Sequence, residues 1–485
     1  MTPETVLRRA KIVATLGPAT DDVDVLFEMC NAGLDVARLN FSHGSQPDHL
    51  RRLELLREAS QRAGRYVGVL GDLSGPKIRI ESFKNGAVQL REGAEFALDA
   101  ALDPNGGDEH VVGVAYADLP GDVQAGDTLL LNDGLIVLQV TAVKGSRIHT
   151  RVVVGGELSN RKGVNRKGGG ISAPSLTDKD RSDIEFAARI GVDFLALSFV
   201  RDAADVEQAR RLVREAGSHA LLVSKIERNE AIDSLQEIID ASDGVMVARG
   251  DLGVEMGYAA LTGLQKTIIG MARARDRFVI TATQMMESMI LSPVPTRAEV
   301  SDVANAVLDG TDAVMLSAES ATGKYPVRAV AAMAEIIEGA ERFELSTART
   351  RERADAHFEP IEKAIAMAVM YTAHHMKVRA IVALTESGAT AHYMSRMRSD
   401  IPIYALTRQP STRRRVTMYR GVYPVPFDIQ RTDAAHLYAE VFSLLLGLGI
   451  VVENDSIILT KGELSGVAGG TNSLQILQVQ RPAGP

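Results

Sequence analysis

The stretch YVGVLGDLSGPKIR, residues 66–79, decides how the chain is read. Its first five residues form a continuous apolar run, the pattern of a strand buried on both faces in a parallel sheet. The run closes on a carboxylate, Asp72. A Gly75-Pro76 break follows, then two cations, Lys77 and Arg79. An acid at a strand end, a turn and a lysine just beyond it mark a functional strand tip and a domain boundary together.

Seven further runs have the same form: IVATL (12–16), DVARL (35–39), FLALSF (194–199), ALLVSKI (220–226), GVMVA (244–248), FVITA (278–282) and AVMLS (313–317). Between most of them lie segments with helical periodicity, such as DVEQARRLVREAG (205–217) and EVSDVANAVLDG (299–310). Eight strand-helix units predict a (β/α)8 TIM barrel. The spacing breaks once. About 120 residues separate the third run from the fourth. Within 77–173 apolar and polar residues alternate, with turn signals at Asn85-Gly86, Pro120-Gly121 and Asn132–Gly134. This predicts a small all-β domain, a β-barrel lid, inserted after the third strand and bracketed by Gly75-Pro76 and Gly168–Gly170 as hinges.

From residue 346 the pattern changes. The polar, arginine-rich TARTRERADAHF reads as a bridge. After it come a helix over 362–376 and the runs RAIVAL, IPIYAL, GVYPVPF and DSIILT, which predict an α/β domain with a parallel sheet. The expected division is therefore 1–76 and 174–345 for the barrel, 77–173 for the lid and 346–485 for the last domain.

Bulk properties narrow the function class. A net charge of −8 over 485 residues argues against a nucleic-acid or polyanion binder. The single cysteine, Cys30, excludes an internal disulfide framework and sits in a helical apolar pattern as a buried thiol. No apolar run is long enough to span a membrane, and no secretory leader pattern opens the chain, so the cytoplasm is the expected address.

Barrel enzymes carry their chemistry at the C-terminal ends of the strands. Here those ends read TLGPAT, RLNFSHG, GDLSGPKIR, SFVR, SKIE, ARGDLG, TATQM and SAES. Glu227 and Asp251, at neighbouring tips, suit a hard divalent cation such as Mg2+ or Mn2+. The alternative for each is an ion pair with a nearby arginine or lysine. Lys225 lies two residues before Glu227 and shares its face. It can stabilise a transferring phosphoryl group or simply pair with Glu227. ARGDLG has the look of a tight turn into a helix whose free N–H groups bind an anion. Arg38, Asn40, Ser42 and His43 cluster in RLNFSHG, and Arg38 suits phosphate oxygens. Thr283 can orient water or donate through its hydroxyl. No phosphate-loop motif is present, so a nucleotide would bind by another geometry.

The long motifs KIVATLGPAT, RLNFSHG, GDLSGPKIR, KGVN, SKIE, ARGDLGVE, TATQMMESM, PTRAEVSDVANAVLDGTDAVMLSAE and KYP closely resemble those of the pyruvate kinase family. The resemblance implies phosphoryl transfer from phosphoenolpyruvate to ADP, giving pyruvate and ATP, in a three-domain homotetramer. It implies that Glu227 and Asp251 hold the divalent metal, Lys225 stabilises the phosphoryl group and Arg38 holds the phosphate. The amides of Gly250 and Asp251, with Thr283, would take the substrate carboxylate, and Thr283 with water would protonate the enolate. His43, Arg79 and Lys162 match nucleotide contacts. Asn40, Ser42, Asp72 and the carbonyl of Leu73 match a K+ site.

Two positions depart from the family pattern. Leu73 stands where many members have Thr. Lys77 stands where K+-requiring members have Glu. A unit charge at about 4 Å and an effective dielectric near 20 is worth on the order of 4 kcal/mol. Lys77 is thus expected to make K+ dispensable. In the last domain Thr385, Ser387, Gly388 and Thr390 match an allosteric pocket for a phosphorylated effector, with loop 462–473 closing over it. The chain has no tryptophan and that loop no arginine, which favours a monophosphate effector. Arg413–Arg415 either extend that pocket or form a solvated face, and Arg297 matches a subunit contact. Two rival readings are another metal-dependent barrel enzyme acting on phosphoenolpyruvate or pyruvate, and a catalytically dead sugar-phosphate sensor.

Overall fold

The computed structural model describes residues 7–347, 361–428, 434–462 and 470–481. The bridging segment of the sequence reading falls largely on 348–360, and most of loop 462–473 falls on 463–469. Both lie outside the described residues.

All eight runs are strands: β1 (Lys11–Thr15), β2 (Val36–Asn40), β3 (Gly68–Asp72), β4 (Phe194–Leu197), β5 (Leu221–Ile226), β6 (Gly244–Ala248), β7 (Phe278–Ala282) and β8 (Ala313–Leu316). They close into one barrel, with β1 paired to β8 and every neighbouring pair parallel. Surrounding helices start and stop on local chemistry. Thr177 and Thr296 form capping boxes, and Gly191 and Gly310 end helices in the left-handed conformation. Gly244 has a packing reason of its own: a Cβ there would lie 2.3 Å from the Phe278 ring. Cys30 is buried, and burial pushes its thiol up to about 11.

The floor of the barrel repeats one device four times. Asp35, Asp193, Asp243 and Asp312 each stand one residue before an even-numbered strand. Each turns a carboxylate oxygen to an N–H at the preceding odd strand: Ile12, Val69, Leu222 and Val279, at 2.8 to 2.9 Å. Each carboxylate also meets an arginine: Arg8, Arg414, Arg210 and Arg396. The arginines bound by Asp193 and Asp312 come from the last domain, so the same acids that set strand register also dock that domain.

The inserted segment forms a six-stranded sheet and a two-stranded ribbon, with one short helix, Leu119–Asp122. Its own core includes Leu98, Leu129, Leu138 and Ile148. Its expected hinges are tightly placed. Gly75 has φ +62, and a Cβ on it would lie 2.8 Å from Ser198 Cβ. On the return, Gly170 N donates to Glu230.

The last domain is a five-stranded sheet in the order Val422–Pro426, Ile403–Thr407, Ala380–Leu384, Ser456–Gly462, Thr471–Gln478. Four strands were legible as apolar runs. The fifth, TNSLQILQ, pairs antiparallel at the edge, and its half-exposed alternation hid it among polar residues. Tyr419 of this domain sits 6.1 Å from the Phe278 ring, continuing the barrel interior into the domain seam.

The Arg396–Asp312 pair is almost wholly buried. Removing one partner strands the other charge, and such losses cost about 3–5 kcal/mol. Arg396→Met is therefore expected to lower the urea midpoint sharply, and Arg396→Met with Asp312→Asn to recover much of the loss, as read by equilibrium unfolding. Burial opposes the Asp312 charge, but Arg396 outweighs it and the net carboxyl pKa is lowered. That contribution is present above the unfolded-state carboxylate pKa and disappears as pH falls through the lowered folded one.

Candidate active site

The upper ends of β2, β3 and β5 bring four charges together. Lys225 Nζ lies 2.9 Å from Glu227 Oε1 and 3.4 Å from Asp72 Oδ1. Arg38 Nε donates to Asp72 Oδ2 at 2.6 Å, and its Nη1 donates to Thr15 at 3.0 Å. All four side chains are buried or nearly so. Burial pulls the Lys225 ammonium down, but Asp72 and Glu227 outweigh it and the net shift is upward. Burial raises Asp72, and Lys225 and Arg38 reverse the sign to a net lowering. Glu227 goes up, chiefly by burial, with the Asp251 charge adding to it against Lys225. Glu227 and Asp251 thus lie close enough to repel one another.

Ser198, absent from the sequence-derived candidates, links this cluster. Lys225 Nζ donates to its Oγ at 2.7 Å, and that hydroxyl donates to the Leu73 carbonyl at 2.8 Å. The only signal for it was a hydroxyl near the end of an apolar run. Its neighbour Phe199 has φ +56 and donates its N–H to Glu227 at 2.8 Å. A bulky residue in that region is held there by its surroundings.

A second strained pair lies across the mouth. Thr283 and Gln284 have φ +66 and +53. Arg249, also missed, donates to both their carbonyls at 2.8 and 3.0 Å and pairs with Asp302. Thr283 Oγ1 accepts the Gly250 N–H at 2.8 Å, at the start of the helix Arg249–Met256. Gly250, Asp251 and Thr283 therefore share one corner.

The inserted domain contributes from above. Lys77 Nζ donates to Asp251 at 2.8 Å and lies 3.8 Å from Asp133. Asn165, in KGVN, donates to Glu255 at 3.3 Å. His43 is lowered by burial and then by Arg79, Arg38 and Lys77, which places these cations around it. Arg79 donates to the Arg161 carbonyl at 3.0 Å, and Lys162 accepts the Ile80 N–H through its own carbonyl at 2.9 Å. Asn40 Oδ1 accepts the Ser42 N–H at 3.1 Å.

Residues 7–330 match the family described as "Pyruvate kinase, barrel domain", and residues 363–477 match "Pyruvate kinase, alpha/beta domain". The chain belongs to the pyruvate kinase family. It is 52% identical to "Pyruvate kinase II" of Salmonella typhimurium over 98% of this chain and 99% of that protein. It is 50% identical to "Pyruvate kinase" of Haemophilus influenzae over 94% of this chain and 96% of that one. The Geobacillus stearothermophilus "Pyruvate kinase" is 42% identical over 97% of this chain and 80% of its own length. As a pyruvate kinase, the chain transfers a phosphoryl group from phosphoenolpyruvate to ADP.

Away from this cluster, Thr385 Oγ1 accepts the Gly388 N–H at 2.9 Å, and Thr390 and Thr471 hydroxyls meet at 2.7 Å. Ser387 Oγ accepts the Ala389 N–H at 3.4 Å, so the four effector candidates share the turn that opens the helix Ala389–Arg396. The triplet Arg413–Arg415 is half-buried against the barrel. Arg413 donates to Tyr66, Arg414 pairs with Asp193 and Arg415 donates to the His219 carbonyl, all on the barrel. Arg297 is exposed at the start of the helix Arg297–Asp309. No described helix is long and apolar enough to cross a membrane.

Ser198→Ala releases Lys225 from one of three partners without opening a large cavity. Loss of positioning of that kind is expected to cost about tenfold to a hundredfold in kcat, with KM for phosphoenolpyruvate moving less and the thermal midpoint little changed. Steady-state kinetics beside calorimetry checks it.

Proposed function

We propose that Lys225, held between Asp72, Glu227 and Ser198, is the cation that follows the phosphoryl group from phosphoenolpyruvate to ADP. The observation carrying this reading is a buried ammonium kept charged by two carboxylates at the barrel mouth. Arg38, fixed by Asp72 and Thr15, binds the phosphate oxygens. The amides of Gly250 and Asp251 with the Thr283 hydroxyl receive the substrate carboxylate. The enol-ester P–O bond breaks, a P–O bond forms to the terminal ADP oxygen, and the enolate gains a proton at its methylene carbon from water oriented by Thr283. His43, Arg79 and Lys162 face the nucleotide.

Glu227 and Asp251 fit a Mg2+ or Mn2+ ion: both are oxygen donors, they repel one another, and one is buried with a raised pKa. Among the described residues no group of three or more acidic, His or Cys side chains gathers as a cage. Two protein carboxylates would leave room for water and substrate oxygens, and a bound ion would supply positive charge to the transferring phosphate.

Lys77 makes K+ dispensable on this reading. Its ammonium bonds Asp251 and lies in the field that depresses His43. Asp72, Asn40 and the Leu73 carbonyl, the groups matching a K+ site, already accept from Arg38, Ser42 and Ser198. The domain boundaries at 76/77, 173/174 and 345/346, a phosphorylated effector at Thr385–Thr390, a homotetramer using the Arg297 region and a cytoplasmic setting complete the proposal.

In a lactate-dehydrogenase-coupled assay with phosphoenolpyruvate, ADP and Mg2+, Lys225→Met is expected to lower kcat by at least about 10²–10³-fold, the scale of losing one preorganised charge stabiliser. Retained turnover would remove Lys225 from this role. Activity in tetramethylammonium buffer should match that in KCl within twofold, and Lys77→Glu should create a K+ requirement. A strong K+ dependence of the parent enzyme would overturn the Lys77 assignment.

A further inference from the structure

Between the barrel floor and the last domain lies a cavity of about 370 Å3 that the reaction above does not use. The starts of β5, β6 and β7 wall one side, at Leu221, Asp243 and the segment Arg275–Phe278. Ser387, the helix Ala389–Arg396, Arg415 and Tyr419 wall the other.

Its charges are unevenly matched. Asp243 is engaged by Arg210 at 3.1 Å, Asp276 by Lys363 at 2.5 Å, and Arg275 pairs with Asp240 at 3.1 Å. Arg277 and Arg415, by contrast, donate to backbone carbonyls, of Asp240 at 2.8 Å and His219 at 3.1 Å. A carbonyl satisfies a donor but cancels no charge. Arg277 and Arg415, from different domains, therefore line one small space while its acids serve other cations. That arrangement suits an anion, and arginine matches phosphate oxygens.

The wall is also short of hydrogen bonds. Arg415 Nε, His392 Nδ1 and Asp276 Oδ1 are buried with no partner. His392 Nε2 lies 2.6 Å from the Asp276 carbonyl, so a neutral ring places its proton there and leaves Nδ1 as a bare acceptor. Burial drives His392 down to about 4, so the ring is neutral at physiological pH. A small side-chain shift on ligand entry would give these atoms partners: an anion for the arginine, a hydroxyl donor for the acceptors.

We propose that this cavity binds a small hydroxylated phosphate ester, its phosphate between Arg277 and Arg415 and a hydroxyl toward His392. The site adjoins the Thr385–Thr390 turn without coinciding with it. Ser387 and Ala389 form a common lip, but Thr385, Gly388 and Thr390 do not line the cavity. The three strands that begin here are five or six residues long and lead to Lys225 and Glu227, to Gly250 and Asp251, and to Thr283. A ligand bridging their starts to the last domain would alter how those tips are held. This second consequence rests on the proposed active site; the binding itself does not.

The test uses the full chain with phosphoenolpyruvate and Mg2+ filling the active site, and Thr385→Val with Thr390→Val silencing the neighbouring turn. Titration calorimetry at fixed ionic strength compares glycerol 2-phosphate, inorganic phosphate and glycerol. Glycerol 2-phosphate should bind more tightly than inorganic phosphate, glycerol should not bind, and Arg415→Gln should weaken the ester at least tenfold. Crystals of the unmutated chain soaked in tungstate should show an anomalous peak between Arg277 and Arg415, a readout that needs no variant to fold. A peak confined to the Thr385–Thr390 turn, no peak at all, or an affinity unmoved by Arg415→Gln overturns the site. A tungstate peak in a chain with no ADP-dependent pyruvate release would sink the catalytic assignment and leave the cavity standing.

Discussion

A buried lysine needs anions, and the architecture of the barrel mouth follows from that requirement. Lys225 lies between Asp72 and Glu227 with Ser198 as a third partner. Without the two carboxylates its burial would favour the neutral amine. Each carboxylate is itself fixed, Asp72 by Arg38 and Glu227 by the Phe199 N–H. The positive φ of Phe199 is the conformational cost of aiming that N–H inward, and the surrounding core sustains it. The same logic recurs at Thr283 and Gln284, where Arg249 holds two strained carbonyls.

The inserted domain reaches this cluster through few contacts of its own. Lys77 touches Asp251 and Asn165 touches Glu255, so both bonds end on the single helix Arg249–Met256. Burial pushes Glu255 up to about 7, which makes the Asn165 contact a bond to a carboxyl that titrates near neutrality. The helix that carries Gly250 and Asp251 thus also receives both of these bonds from the inserted domain.

The opposite end of the barrel is built for attachment of another kind. Four aspartates before alternate strands each cap a neighbouring strand N–H and hold an arginine. Where the arginine comes from the last domain, as with Arg396 and Arg414, strand register and domain docking share one carboxylate.

Periodicity alone determined the barrel. Eight apolar runs, one interruption and a change of pattern near 346 suffice because parallel strands buried on both faces must read as continuous hydrophobic stretches. The positions of the acids and the lysine at the strand tips were legible for the same reason, since a charge at the end of such a run stands out against it. Ser198 and Arg249 were not legible, because a serine or arginine at a strand end looks like any other until its partners, some 27 and 34 residues away, are in place. The edge strand Thr471–Gln478 was hidden by its half-polar face. The arginine triplet 413–415 pointed to an effector or to solvent in sequence, and its bonds to Tyr66, Asp193 and His219 exist only once two domains have docked. Local patterns specify elements through burial, whereas a hydrogen-bond or ion-pair partner distant in the chain is chosen by tertiary packing.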